Sequence, residues 1–139
     1  MTDPDPASID AHWEYSGEPM ATTPEHDARL AEMTFASVYP HYVAKIKNKG
    51  RTKQELHAVI RWLTGFNDTA IRKAITQELS FESFFEMANL NPKASQISGT
   101  ICGYKIQDIT TPLTKQVRCL DKLVDELAKG KALEKVLRQ

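Results

Sequence analysis

From Met33 onward, apolar residues recur at three- and four-residue steps, and each run is cut short by a glycine, a proline or a capping side chain. On a helix of 3.6 residues per turn this spacing gathers the apolar residues into one stripe. Phe35, Val38, Tyr39, Tyr42, Val43 and Ile46 form the first stripe. Pro40 is tolerated where no amide donor is required, so the pattern predicts a helix start near Ser37 and a stop at Gly50. Thr52-Lys53-Gln54-Glu55 has the form of a capping box, in which hydroxyl and carboxylate satisfy each other's orphan amides. The helix that follows buries Leu56, Val59, Ile60 and Leu63 and ends at Gly65. Asn67 or Asp68 caps a third helix, with Ile71, Ile75 and Leu79 on its stripe. Ser80 opens a short fourth helix whose Phe81, Phe84 and Phe85 read as core. Leu90-Asn91-Pro92 is a turn.

The period changes between Ile97 and Ile109. Ile97, Thr100, Ile101, Tyr104 and Ile106 favour strands, and Gly99 and Gly103 interrupt them, which predicts a short β-hairpin. Thr111-Pro112 then reads as N-cap and first helical position. A long helix follows, with Leu113, Val117, Leu120, Leu123, Val124 and Leu127 on one face. Gly130 breaks it, and Leu133, Val136 and Leu137 mark a last helical piece. The fold class expected is mainly α, a compact helical domain with one short β-hairpin. At 139 residues there is room for one hydrophobic core and not two.

Charge divides the chain in two. Residues 1–32 hold eight acids and one base, a net −7, whereas residues 33–139 hold 17 bases and 10 acids, a net +7. Pro4, Pro6, Pro19 and Pro24 stand among polar residues with no apolar period, so residues 1–32 read as an acidic flexible arm before a single domain at 33–139. Within the arm, Trp13 and Tyr15 lie among acids and could serve as a docking motif or fold back on the body. The first residues have neither a basic start nor an apolar stretch, no apolar run is long enough to cross a bilayer, and two cysteines make no disulfide framework. The expectation is a reduced cytoplasmic protein with no membrane partner, no cofactor and no metal.

Four segments carry a resemblance: Phe35-Ala36-Ser37-Val38-Tyr39-Pro40-His41-Tyr42-Val43-Ala44-Lys45, Gly50-Arg51-Thr52-Lys53, Ile60-Arg61-Trp62-Leu63-Thr64-Gly65, and Leu120 to Lys131 with Asp121-Lys122-Leu123-Val124-Asp125-Glu126 at its centre. In matching order over about residues 33–139, they resemble the bacterial family catalogued as domain of unknown function 2200. Thr110-Thr111 stands where that family usually has an acidic pair, and Cys119 where an aromatic is usual. The resemblance implies a mostly helical fold and supplies no activity.

The densest chemical feature is basic. Lys45, Lys47, Lys49, Arg51 and Lys53 span a helix end, a loop and the next helix start, where Thr52 and the free amides could help hold a phosphate. These six residues, 45, 47, 49, 51, 52 and 53, are the expected anion or nucleic-acid site. The expected function is a non-enzymatic binding module whose partner is nucleic acid, a phosphate or an acidic protein. A helix-turn-helix across Gly65, with Thr69, Arg72 and Lys73 outward, is weighed against an ordinary helical hairpin, and the hairpin is preferred because Arg61 occupies a tight-packing position. Two rival readings remain. One is an enzyme using Cys102 with His41 or His57, or the carboxylates of Asp121, Asp125 and Glu126. The other is a protein–protein interaction module, to which an off-stripe Trp62 could contribute.

Overall fold

The computed structural model describes residues 21–139. Its helices are α1 (Pro24–Glu32), α2 (Phe35–Lys47), α3 (Lys53–Thr64), α4 (Asp68–Thr76), α5 (Phe81–Met87), α6 (Pro112–Ala128) and α7 (Leu133–Val136). Between α5 and α6 lie a 3-10 turn at Pro92–Gln96, strands β1 (Thr100–Ile101) and β2 (Tyr104–Lys105), and a second 3-10 turn at Ile106–Asp108. The domain is therefore mainly helical with one small hairpin, as the periodicities predict. Among the described residues no helix is long and apolar enough to cross a membrane.

The caps of α3, α4 and α5 form where the sequence places them, whereas Thr111 stands at the start of α6 without a side-chain cap bond and donates to Asp27 instead. Thr52 Oγ1 accepts from the Glu55 amide and Glu55 Oε1 accepts from the Thr52 amide, each at 3.1 Å, closing the box. Asn67 rather than Asp68 caps α4, accepting from the Ala70 amide at 2.8 Å. Gly65 ends α3 in the left-handed region, at φ +78°, which few other residues adopt without strain.

Two boundaries differ from expectation. Helix α2 begins at Phe35, not near Ser37, so Pro40 lies inside it. Its ring removes the donor that would reach the Ala36 carbonyl, at a cost of about 3 kcal/mol. Two gains offset that cost: the Thr34 cap, worth about 1 kcal/mol, and full burial of Phe35, worth roughly 1.5–3 kcal/mol. Thr34 accepts from the Ser37 amide, and Phe35 stacks on Phe84 with ring centroids 4.4 Å apart. The second difference is that the end of the acidic stretch is folded. Residues 24–32 form α1, capped by Thr23, and Asp27 accepts from the hydroxyls of Thr111 at 2.7 Å and Thr114 at 2.6 Å. Proline at the helix start and acids in its first turn explain this, since both are favoured there. The Trp13 and Tyr15 motif lies outside the described residues.

Helix α6 is the axis of the packing. Val117, Leu120, Leu123, Val124 and Leu127 are buried along it, and α1, α2, α3, α5, α7 and the hairpin all pack against it. The hairpin pairs Ile101 with Tyr104, and its two central residues, Cys102 and Gly103, both have positive φ, at +55° and +84°. That is the geometry of a tight I′ turn, with cysteine where asparagine or glycine is usual. Ile101 and Tyr104 turn inward while Thr100 and Lys105 face out.

Asp27→Ala should lower the unfolding free energy by about 2 kcal/mol, because charge-assisted hydrogen bonds are lost and the buried Thr114 hydroxyl is orphaned. Urea unfolding measures it, and a loss below about 0.5 kcal/mol would show that α1 contributes nothing to the core.

Candidate functional site

The six residues of the expected anion site separate into two sets. Lys47, Lys49 and Lys53 are exposed, and none of them pairs with an acid among the described residues. Lys45 and Arg51 are held in internal bonds, Lys45 at the surface and Arg51 largely out of solvent. Lys45 Nζ lies 3.1 Å from Asp125 on α6. Arg51 makes a two-pronged bond to Glu55, at 3.1 and 2.9 Å, and donates from Nη1 to the carbonyls of Leu127 at 3.1 Å and Lys131 at 2.8 Å. Thr52 is used in the capping box, and Glu55 places a carboxylate at the start of α3. The Thr52 and Glu55 amides already have their acceptors, and the Glu55 carboxylate beside them disfavours an anion, so positive charge on this surface comes from lysine side chains.

Arg51 also has a consequence the linear pattern does not show. Its bonds to the 127 and 131 carbonyls set the loop between α2 and α3 beside the end of α6. The segment that carries Lys129 and Lys131 is thereby fastened to the turn that carries Lys49 and is flanked by Lys47 and Lys53. The only sign of this in the sequence is a second set of lysines, at 122, 129, 131 and 135, far along the chain from the first.

The acids on α6 are tightly held. Asp125 pairs with Lys45 at 3.1 Å and Lys129 at 3.0 Å. Burial works against its ionisation, but the bonds and charges of Lys129 and Lys45 outweigh that, and its carboxyl titrates below the ordinary range. Glu126 pairs with Arg138 at 2.6 Å and Lys131 at 3.6 Å. Asp121 accepts from the Tyr42 hydroxyl at 2.6 Å and from Arg118 at 3.1 Å. Burial, followed by the Asp121 charge, pushes the Tyr42 phenol well above its usual value.

Cys102 sits in the exposed hairpin turn on the same side of the molecule. Partial burial first, and then the Asp121 carboxylate, raise its thiol, which disfavours the nucleophilic thiolate. Burial pushes the Cys119 thiol up to about 11. His57 is engaged elsewhere: Nε2 lies 2.6 Å from the Tyr39 hydroxyl and Nδ1 3.2 Å from Asp68. His41 is exposed on α2. Sequence pattern alone gave no sign of the Tyr39–His57–Asp68 chain, since its members belong to three helices. Trp62 is half-buried against the core. Thr69, Arg72 and Lys73 are exposed on α4, across a short turn at Gly65 from α3.

Asp125 and Glu55 both titrate below the ordinary carboxylate value; for Glu55 the hydrogen bond from Arg51 is the largest cause. Each group adds stability above its unfolded pKa, and loses it as pH falls through its lower folded pKa. Urea midpoints should therefore drop as pH falls from about 5 towards 3. The drop should be smaller in an Asp125→Asn/Glu55→Gln variant. An equal drop in the variant would contradict the assignment.

No curated protein matches the chain. A solved structure titled "Crystal structure of uncharacterized protein SP1917" is 39% identical to it, with a TM-score of 0.74, covering 79% of this chain and 91% of that one. The family described as "Uncharacterized protein conserved in bacteria (DUF2200)" matches residues 29–138. Since that match takes in all but the first few residues of the folded body, the chain belongs to this family of uncharacterised bacterial proteins.

Proposed function

We propose that this protein is a non-enzymatic binding module whose basic pole takes a polyanion, with nucleic acid as the partner. One observation carries the reading: Arg51 bonds to the Leu127 and Lys131 carbonyls and so fastens two basic segments into one surface. Lys47, Lys49 and Lys53 are exposed on it, and Lys129 and Lys131 stand beside them. Lysines on a solvated surface act as mobile point charges, so binding is weak, dependent on salt and indifferent to sequence. Phosphates would be met by ammonium groups, since the Glu55 carboxylate stands at the start of α3 and the capping box takes the Thr52 and Glu55 amides. The cytoplasm, where nucleic acid is at hand, is the location this reading implies.

Fluorescence anisotropy of a labelled duplex across a salt series tests the proposal. If three lysines each displace a counterion, log K should fall against log salt with a slope of roughly −3. Lys47→Ala/Lys49→Ala/Lys53→Ala should remove most of that slope while leaving the melting temperature nearly unchanged, because exposed charges contribute little to stability. Arg51 must be kept in this variant because of its internal bonds. Absence of salt-dependent binding at low ionic strength would overturn the proposal.

A further inference from the structure

We propose that a cavity at the C-terminal end of α6 binds a compact oligophosphate group, whether free or carried by a nucleotide. The cavity has a volume of about 590 Å³, and Lys122, Lys129, Lys131 and Lys135 line it together with Asp125 and Glu126. The two carboxylates would cancel half of the lysine charge if they stood alone. Each pairs with one lining lysine, Asp125 with Lys129 at 3.0 Å and Glu126 with Lys131 at 3.6 Å, and is also held by a cation that is not part of the lining. Lys45 reaches Asp125 from α2 at 3.1 Å, and Arg138 grips both oxygens of Glu126 at 2.6 and 3.1 Å. With the outside cations counted, the two carboxylates are offset and the four lining lysines leave the cavity a net positive charge.

The lysines are also arranged around it. Lys122 donates to the Thr100 carbonyl at 3.2 Å, which fixes its ammonium on the hairpin side. Lys129 and Lys131 come from the turn after α6, with side chains 74% and 44% exposed, and so are accessible to a ligand. Lys135 lies on α7 and pairs with no acid among the described residues. A concave surface of one sign concentrates anions of opposite sign. A run of two or three phosphates presents several charges within a few ångströms and can meet several of these lysines together. A single phosphate has fewer contacts, and a duplex is too wide to enter. The inference rests on the basic-pole reading for its surrounding field and shares Lys129 and Lys131 with it, but adds Lys122 and Lys135.

Isothermal titration of the full chain at low ionic strength with sodium tripolyphosphate, ATP and orthophosphate tests it. Tripolyphosphate should bind one to one, and orthophosphate far more weakly. Lys129→Gln/Lys135→Gln should weaken tripolyphosphate binding by about tenfold or more, since charge-assisted contacts are lost. Lys135→Gln alone, which breaks no ion pair among the described residues, should weaken it in the same direction, and this guards against misfolding of the double variant. ATP binding alongside tripolyphosphate assigns the site to nucleotide-borne phosphate as well, and ATP failing assigns it to the free form. Tripolyphosphate binding that survives both glutamine variants but is lost in Lys47→Ala/Lys49→Ala/Lys53→Ala overturns the cavity assignment. So does the absence of tripolyphosphate binding when the duplex still binds, an outcome that leaves the nucleic-acid reading standing. If neither binds, both fall.

Discussion

The guanidinium of Arg51 reaches three partners that lie on different parts of the chain. It grips the Glu55 carboxylate on α3, the carbonyl of Leu127 in the last turn of α6, and the carbonyl of Lys131 beyond that helix's end. The last carbonyls of a helix have no partner within it, and a fixed fork of donors satisfies them well. The side chain is only 14% exposed, so the bonds are made largely out of solvent and losing them would free this segment from the turn between α2 and α3. The turn between α2 and α3 takes its position against the central helix from this contact. Lysine, with one rotatable point of charge, could not make the same set of bonds.

The charges on α6 follow from the same geometry. Asp125 and Glu126 lie near its C-terminus, where the helix dipole disfavours negative charge. Both are nearly buried as well, which adds a desolvation cost. Two cations on each offset these costs, Lys45 and Lys129 on one and Arg138 and Lys131 on the other. Part of the apparent surplus of base at this pole is therefore held in internal ion pairs. The exposed lysines are what remains for a partner.

Much of the fold was legible because helix punctuation is local. Thr52 with Glu55, Asn67, Ser80 and Pro112 each mark a helix start through hydrogen bonds or fixed torsions spanning four residues or fewer. The errors arose where distant packing prevailed. Pro40 suggested a later start for α2, but Thr34 and the stack of Phe35 on Phe84 extend the helix past it. The acidic composition up to Glu32 read as an arm, but Asp27 meets two threonines more than 80 residues on, a partnership that no local pattern carries. The site was legible only in part for the same reason. A run of bases at 45–53 is visible in the sequence, but the pairing of Lys45 with Asp125 and the attachment of Arg51 to residues 127 and 131 depend on contacts between distant segments.

Amide hydrogen exchange over residues 126–131, compared between the native chain, Arg51→Ala and Lys49→Ala, addresses the central claim directly. If Arg51 fastens this segment to the turn between α2 and α3, exchange there should quicken in Arg51→Ala and stay at the native rate in Lys49→Ala, because local opening becomes easier when buried bonds are removed. Unchanged protection in Arg51→Ala would mean that the two basic segments are held together by something else, and that the guanidinium is not the contact on which the pole depends.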